Sequence, residues 1–177
     1  AVRLMNHKSI ITEKIGLLLV FGYSVILLCL GCLGPMWDAE IDSNTLPLIS
    51  LQYRQSIAVN QSDIEQAQVD FPELQKDVDS PEDFRSAGLQ ETTDGNWLSY
   101  YFPIYPLFCI PVKLLLSFLS LDQQRCFFVT NALLVSGALL FLQLKLKVSP
   151  IRRILAVLML AISPIVYYVC FLDYEAF

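Results

Sequence analysis

Residues Ile15 to Trp37 read IGLLLVFGYSVILLCLGCLGPMW, a run without a single charge. At 1.5 Å per helical residue it exceeds the roughly 20 residues that a hydrocarbon core requires, and residues 15–37 are therefore read as a first transmembrane helix. Arg3, His7, Lys8 and Lys14 precede it, which assigns the leader, residues 1–14, to the cytoplasmic side. A cleaved signal peptide is the competing reading. The apolar stretch is longer than the usual 7 to 15 or so residues of such a peptide and no clear A-x-A site follows, which favours a retained helix.

Two further uncharged runs follow toward the carboxy terminus. They are residues 126–144 (CFFVTNALLVSGALLFLQL) and 154–172 (ILAVLMLAISPIVYYVCFL), joined by KLKVSPIRR over residues 145–153. Lys145, Lys147, Arg152 and Arg153 in so short a loop assign it to the cytoplasm. Pro164, inside the last run, is expected to kink that span rather than end it.

The segment 98–121, LSYYFPIYPLFCIPVKLLLSFLSL, is apolar enough to be a fourth span. If it crossed, the basic loop 145–153 would face outward, against the charge rule; as an interfacial or re-entrant helix it leaves both basic segments on one side. Pro103, Pro106 and Pro111 interrupt its first half, and Lys113, Ser117 and Ser120 recur at helical spacing as one polar stripe. Tyr100, Tyr101 and Tyr105 suit headgroup depth. The surface reading is favoured, with a true span left open.

Composition agrees with a membrane protein: 55% of the 177 residues are hydrophobic and 16% charged, with mean hydropathy +0.52, more apolar surface than a soluble domain readily hides. Charge is unevenly spread. Thirteen of the seventeen acids lie between Asp38 and Asp94 against Arg54, Lys76 and Arg85, a net charge of −10 for that stretch, so nucleic acid is excluded as a partner.

The fold class expected is thus all-α integral membrane, with three transmembrane helices, an acidic extracytoplasmic helical loop over residues 38–97 and an interfacial helix. It implies a multi-pass protein of the cytoplasmic (plasma) membrane with its amino terminus inside and the bilayer as partner. Within the loop, Ser62 and Glu65 have capping-box spacing, Ser80 with Pro81 starts a short helix that Gly88 can end, and Asp94–Gly95 makes a turn. Leu46, Leu48, Ile49, Leu51 and Tyr53 are expected to rest on the membrane surface. Cys29, Cys32, Cys109, Cys126 and Cys170 all sit in apolar stretches and are read as small buried hydrophobes.

Chemistry has few candidate carriers. Asp38, Glu40 and Asp42 alternate just after the first span and could offer oxygen ligands to Mg²⁺, Mn²⁺ or Ca²⁺, or one general base; a solvated acidic turn is the plainer reading. Asp173 and Glu175, in the extracytoplasmic end 173–177, would emerge on the same side, though acids at helix ends often only avoid lipid. Lys113 is a candidate contact for a lipid phosphate, or a lysine that snorkels. Asn131 suits a bond to a neighbouring helix. Asn60-Gln61-Ser62 matches a glycosylation acceptor.

The order of these parts resembles the amino-terminal region of the GT-C superfamily, multi-span glycosyltransferases that use polyprenyl-phosphate-linked sugars. Asp38 stands where that family carries a catalytic acid outside its first span. DGNWLSYYFPIYPLFCIPVKLL (Asp94 to Leu115) resembles its tyrosine- and proline-rich approach to a surface helix, TNALLVSGALLFL its second span, and SPIVYYVCFLDYEAF the outer end of its third. The family's common Asp-Glu pair appears here as Asp38-Ala39-Glu40. The resemblance implies a fragment whose missing carboxy-terminal helices complete the enzyme, with Asp38 as general base and a polyprenyl-phosphate-linked sugar as substrate. The alternative is a non-catalytic membrane subunit whose acidic loop binds a partner.

Overall fold

The computed structural model describes residues 2–33, 41–71, 88–99 and 104–163. They form two units, one of helices from 2–33 and 128–163, the other from 41–71, 88–99 and 104–127. Most described residues are helical: α1 is Val2–Leu33, α2 Ile41–Ile49, α3 Gln61–Asp70, α4 Ile104–Phe118, α5 Cys126–Lys145 and α6 Pro150–Ala161.

In the helical unit, α1 is described from Val2 to Leu33 and so begins well before Ile15. Residues 34–40 lie outside those described. Ile10–Leu33 and Gln123–Lys145, the latter including a 3₁₀ turn at Gln123–Arg125 before α5, are each long and apolar enough to cross a membrane.

The third apolar run is described in its first part. α6 starts at Ser149–Pro150, with Ser149 extended (ψ 149°) and proline at the first helical position, where its missing N–H costs nothing. The helix as described ends at Ala161, and the expected kink at Pro164 lies outside the described residues. Its last carbonyls are taken by backbone and side chains: Ile162 N donates to Leu158 O at 3.0 Å, Ser163 N and Oγ to Leu160 O at 3.1 and 2.7 Å, and Tyr23 Oη of α1 to Ala161 O at 2.6 Å. At 12 residues, α6 is about 18 Å long. The remainder of the expected span, 164–172, lies outside the described residues.

Val20 and Leu27 of α1, Ala132, Val135 and Leu139 of α5 and Val157 of α6 form this unit's core, at spacings that keep each set on one helix face. Close approach depends on glycine. A Cβ on Gly31 would stand 3.3 Å from the Phe128 carbonyl and the Val129 nitrogen, so α1 meets α5 backbone to backbone. Leu18, Phe21 and Phe141 are among many large apolar side chains left outward, as on a lipid-facing surface. Cys29 is among the exposed residues and Cys32 is half-buried, contrary to the expectation of burial; Cys109 and Cys126 are buried, and Cys170 lies outside the described residues.

The second unit is a small head. The all-α expectation is corrected here by three short strands, β1 Ala58–Val59, β2 Leu89–Glu91 and β3 Trp97–Ser99, forming an antiparallel sheet in the order β1-β3-β2. Val59 and Glu91 both align with Trp97. The expected Asp94–Gly95 turn closes the β2–β3 hairpin: Gly95 takes φ +75°, Thr92 N donates to Asn96 O at 2.7 Å and Gly95 N to Thr92 O at 3.0 Å. Glycine alone enters that backbone region without a Cβ penalty.

The capping box lies two residues earlier than Ser62–Glu65. Asn60 Oδ1 accepts from the nitrogens of Ser62 and Asp63, and Asp63 Oδ2 accepts from Asn60 N, so the asparagine of the glycosylation motif is committed to starting α3. Leu46, Leu48 and Ile49 do not rest on a membrane: they are buried with Val59, Ile64, Phe71, Leu89, Trp97, Val112 and Leu116, while Leu51 is half-buried and only Tyr53 is exposed. The loop therefore has a core, because α2 packs against α3 and α4.

α4 also corrects the expected polar stripe. Pro106 lies in its first turn, where an N–H has no helical partner, and Pro111 is accommodated within the helix on its exposed side. The inward face carries Pro106, Cys109, Val112, Lys113 and Leu116, so Lys113 is inside while Ser117 and Ser120 are outside. Ile104, Leu107, Phe108, Leu114, Leu115 and Phe118 form a second apolar face, outward. The helix closes with Ser120 left-handed (φ 55°) and Leu121 N donating to Leu116 O at 2.9 Å, a Schellman-type ending. Tyr105, expected at headgroup depth, is half-buried and donates to Phe127 O at 3.3 Å.

Gly31→Val should destabilise the helical unit by about 1–3 kcal/mol through forced separation of α1 and α5. Gly137→Ala, where an added Cβ meets nothing within 4 Å, should be neutral or slightly stabilising. Thermal unfolding in detergent compares the two.

Candidate functional site

The described part of the head holds a buried cation at the meeting of three segments. α2 runs into a π turn, Ser50–Arg54, that ends at Gln55 in left-handed conformation (φ 54°); single π turns often mark places where side chains are re-aimed. This turn supplies Gln52 and Tyr53, α3 supplies Gln66 and Asp70 with Phe71 just beyond it, and α4 supplies Lys113.

Lys113 Nζ donates to Asp70 Oδ2 at 2.5 Å and to Gln52 Oε1 at 2.8 Å. It lies 5.4 Å from the ring centroid of Tyr53 and 5.5 Å from that of Phe71, within cation–π range. The side chain is 1% exposed and that of Asp70 10%. Asp70 is fully engaged: Tyr53 Oη donates to Oδ2 at 2.9 Å and Gln66 Nε2 to Oδ1 at 3.1 Å. Burial, then the hydrogen bond to Asp70 and the charge of Asp70, push the Tyr53 phenol from 10.0 up to about 12.

A second pair stands about two turns away along α3. Arg54 grips Asp63 with two nitrogens, Nε to Oδ1 at 2.8 Å and Nη2 to Oδ2 at 2.6 Å, and also reaches Ser50 Oγ at 3.1 Å and the carbonyl of Ala58. The hydrogen bond to Asp63 raises the Arg54 pKa further above its ordinary value. Asp63 is 2% exposed. Such bidentate pairs fix direction as well as charge.

These residues were missed in the sequence, although a signal was present. Asp63, Gln66 and Asp70 recur at i, i+3 and i+7 and so share one face of α3, a pattern that equally describes a solvated acidic face. Lys113 was singled out as a lipid-phosphate contact; the structure instead places its ammonium inside the head, bound to Asp70 and Gln52. Chemically the cluster is a clamp: its carboxylates and cations already hold one another, and none is presented to a substrate.

The carboxylates favoured for chemistry cannot be joined to this geometry. Asp38, Glu40, Asp173 and Glu175 lie outside the described residues, and Asp42 is the second residue of α2, its side chain likewise outside them. Among the described residues no three His, Cys, Asp or Glu side chains are grouped as a metal site. Asn131 is buried in α5.

Removing one partner of a buried ion pair strands the other charge. Lys113→Met or Asp70→Leu alone should destabilise the head by about 3–5 kcal/mol, and the double variant should recover much of the loss, as read by thermal unfolding and proteolysis. The raised Tyr53 pKa implies that folding stability from this phenol is full below pH 10 and fades as the pH rises from 10 toward 12. Unfolding midpoints followed across that window should lose this part of their pH dependence in Tyr53→Phe.

Comparison with protein-family models, with curated proteins and with solved structures finds no match to this chain.

Proposed function

We propose that this chain is the amino-terminal part of a membrane glycosyltransferase that moves a sugar from a polyprenyl-phosphate donor to an acceptor hydroxyl at the outer face of the plasma membrane. In this reading the protein is multi-pass with its amino terminus inside, and α4 is an interfacial helix. The supporting observation is α4 itself. One apolar face closes the head and a second, from Ile104 to Phe118, is turned outward, and only a short stretch separates it from the apolar helix beginning at Gln123. In chain order, a folded unit with an outward apolar helix, flanked by two helices able to cross, is the layout that the sequence resemblance implies.

Asp38 is the general base of this proposal. It takes the proton of the acceptor hydroxyl as that oxygen bonds to the anomeric carbon; the bond from that carbon to the phosphate oxygen breaks with its electron pair, and polyprenyl phosphate leaves. Lys113, committed to Asp70, supports the head and not the leaving phosphate.

A second reading has its own observation. Every ion pair described in the head is satisfied internally, which suits a non-catalytic subunit that presents a stable acidic domain to a partner.

In the complete protein, Asp38→Asn should lower transfer from polyprenyl-phosphate-linked sugars by about 100-fold or more with the thermal stability of the head unchanged. Transfer at the original rate would remove the basis of the first reading. A protein with no transfer from any such donor, yet purified in a stable complex insensitive to Asp38→Asn, would establish the second.

A further inference from the structure

The helices of residues 2–33 and 128–163 contain seven basic residues and one acid, Glu13. Their packing gathers Glu13 and five of the cations, Lys14, Lys145, Lys147, Arg152 and Arg153, around one junction. Arg153, at the start of α6, donates from Nη2 to Glu13 Oε1 of α1 at 3.0 Å and from Nη1 to Gln143 O near the end of α5 at 3.1 Å. Gly16 of α1 lies flat against the side chain of Gln143, where an added Cβ would come within 2.3 to 2.9 Å of three of its atoms. The amino-terminal part of α1, the carboxy-terminal turn of α5 and the first turn of α6 therefore meet.

The sole acid of these helices is thereby neutralised by the half-buried Arg153, whereas Lys14, Lys145, Lys147 and Arg152 around the same junction are exposed. Large apolar side chains are exposed beside them, including Ile10, Ile11, Ile15, Leu144 and Ile151. Cations that border an outward apolar surface, with their one local counter-charge already used, match the boundary between acyl chains and phosphate-bearing headgroups.

We propose that Lys14, Lys145, Lys147 and Arg152 form a binding surface for anionic phospholipid headgroups. The ligand chemistry is the phosphodiester of a lipid with net negative charge, held by separate ammonium and guanidinium groups from α1, the end of α5, the turn after it and the start of α6, while Arg153–Glu13–Gln143 keeps these segments together. Polybasic segments at a membrane surface gain affinity for anionic lipid with each added cation, by about fivefold per residue, and lose it as salt shortens the reach of the charges. The inference rests on the membrane-crossing reading of α1 and α5 and is independent of the transferase reading.

The test uses the full chain in vesicles of phosphatidylcholine alone and of phosphatidylcholine with about one-third phosphatidylglycerol, with bound lipid counted by native mass spectrometry after extraction. Phosphatidylglycerol should be retained in preference to phosphatidylcholine, and Lys145→Gln/Lys147→Gln/Arg152→Gln should weaken its retention by about a hundredfold without lowering the unfolding temperature in phosphatidylcholine. High salt during extraction should have the same direction of effect. Equal retention of both lipids, or a triple variant that keeps the preference, would overturn the proposal while leaving membrane insertion intact. Displacement of the lipid by millimolar inorganic phosphate would overturn it in favour of a free-phosphate site. Failure of the chain to enter either vesicle would overturn the membrane reading on which it stands.

Discussion

A lysine ammonium taken out of water loses a hydration shell worth several kcal/mol, and the loss is offset only where its new surroundings return most of those interactions. Lys113 meets this condition with a carboxylate, an amide oxygen and two aromatic faces. The architecture of the head follows from that constraint. The partners lie on the π turn, on α3 and on α4, so the ammonium can be satisfied only when all three are in register. α4 has apolar side chains on both faces, and hydrophobic burial alone would leave its rotation about its axis weakly fixed. One buried charge removes that freedom, as single buried polar residues do in the seams of coiled helices.

The same reasoning explains which parts of the fold were legible in the sequence. Long uncharged runs need only length and composition to be read: α5 coincides closely with residues 126–144, and α1 contains most of residues 15–37 but begins thirteen residues earlier. The Asp94–Gly95 turn was legible because a glycine requirement is local. The expected stripe of Lys113, Ser117 and Ser120 failed because periodicity cannot tell which apolar face of α4 is inside; that is decided by Asp70, forty-three residues earlier in the chain. Strands of two or three residues carry too few side chains for alternation to register, which hid β1, β2 and β3. Leu46 to Ile49 looked like a membrane contact because the helix that covers them is itself apolar and distant in sequence. The carboxylates proposed for chemistry belong mainly to residues outside those described, so their grouping is a matter of sequence alone.

In the helical unit the comparable constraint is the end of α6. Tyr23 stands thirteen residues beyond Ile10, about 20 Å along the apolar part of α1, and it is there that its hydroxyl reaches the carbonyl of Ala161. A helix end packed against another apolar helix is short of water, and a carbonyl left unpartnered there is costly. Tyr23 and Ser163 supply partners from within the protein. A tyrosine in the middle of an otherwise apolar run is thus explained by a backbone break on another helix, a relation that no reading of α1 by itself would reveal.

Charge performs different work in the two units. In the head the buried acids Asp63 and Asp70 meet Arg54 and Lys113, and this charge is consumed in holding the fold. In the helical unit one acid and one arginine tie α1 to the end of α5 and the start of α6, and Lys14, Lys145, Lys147 and Arg152 beside them stay exposed. Both regions look alike in sequence, as clusters of ionisable residues beside apolar ones. Burial separates them: a charge that the fold has paired is spent on stability, and a charge that the fold gathers and leaves exposed is free to meet a ligand of opposite sign.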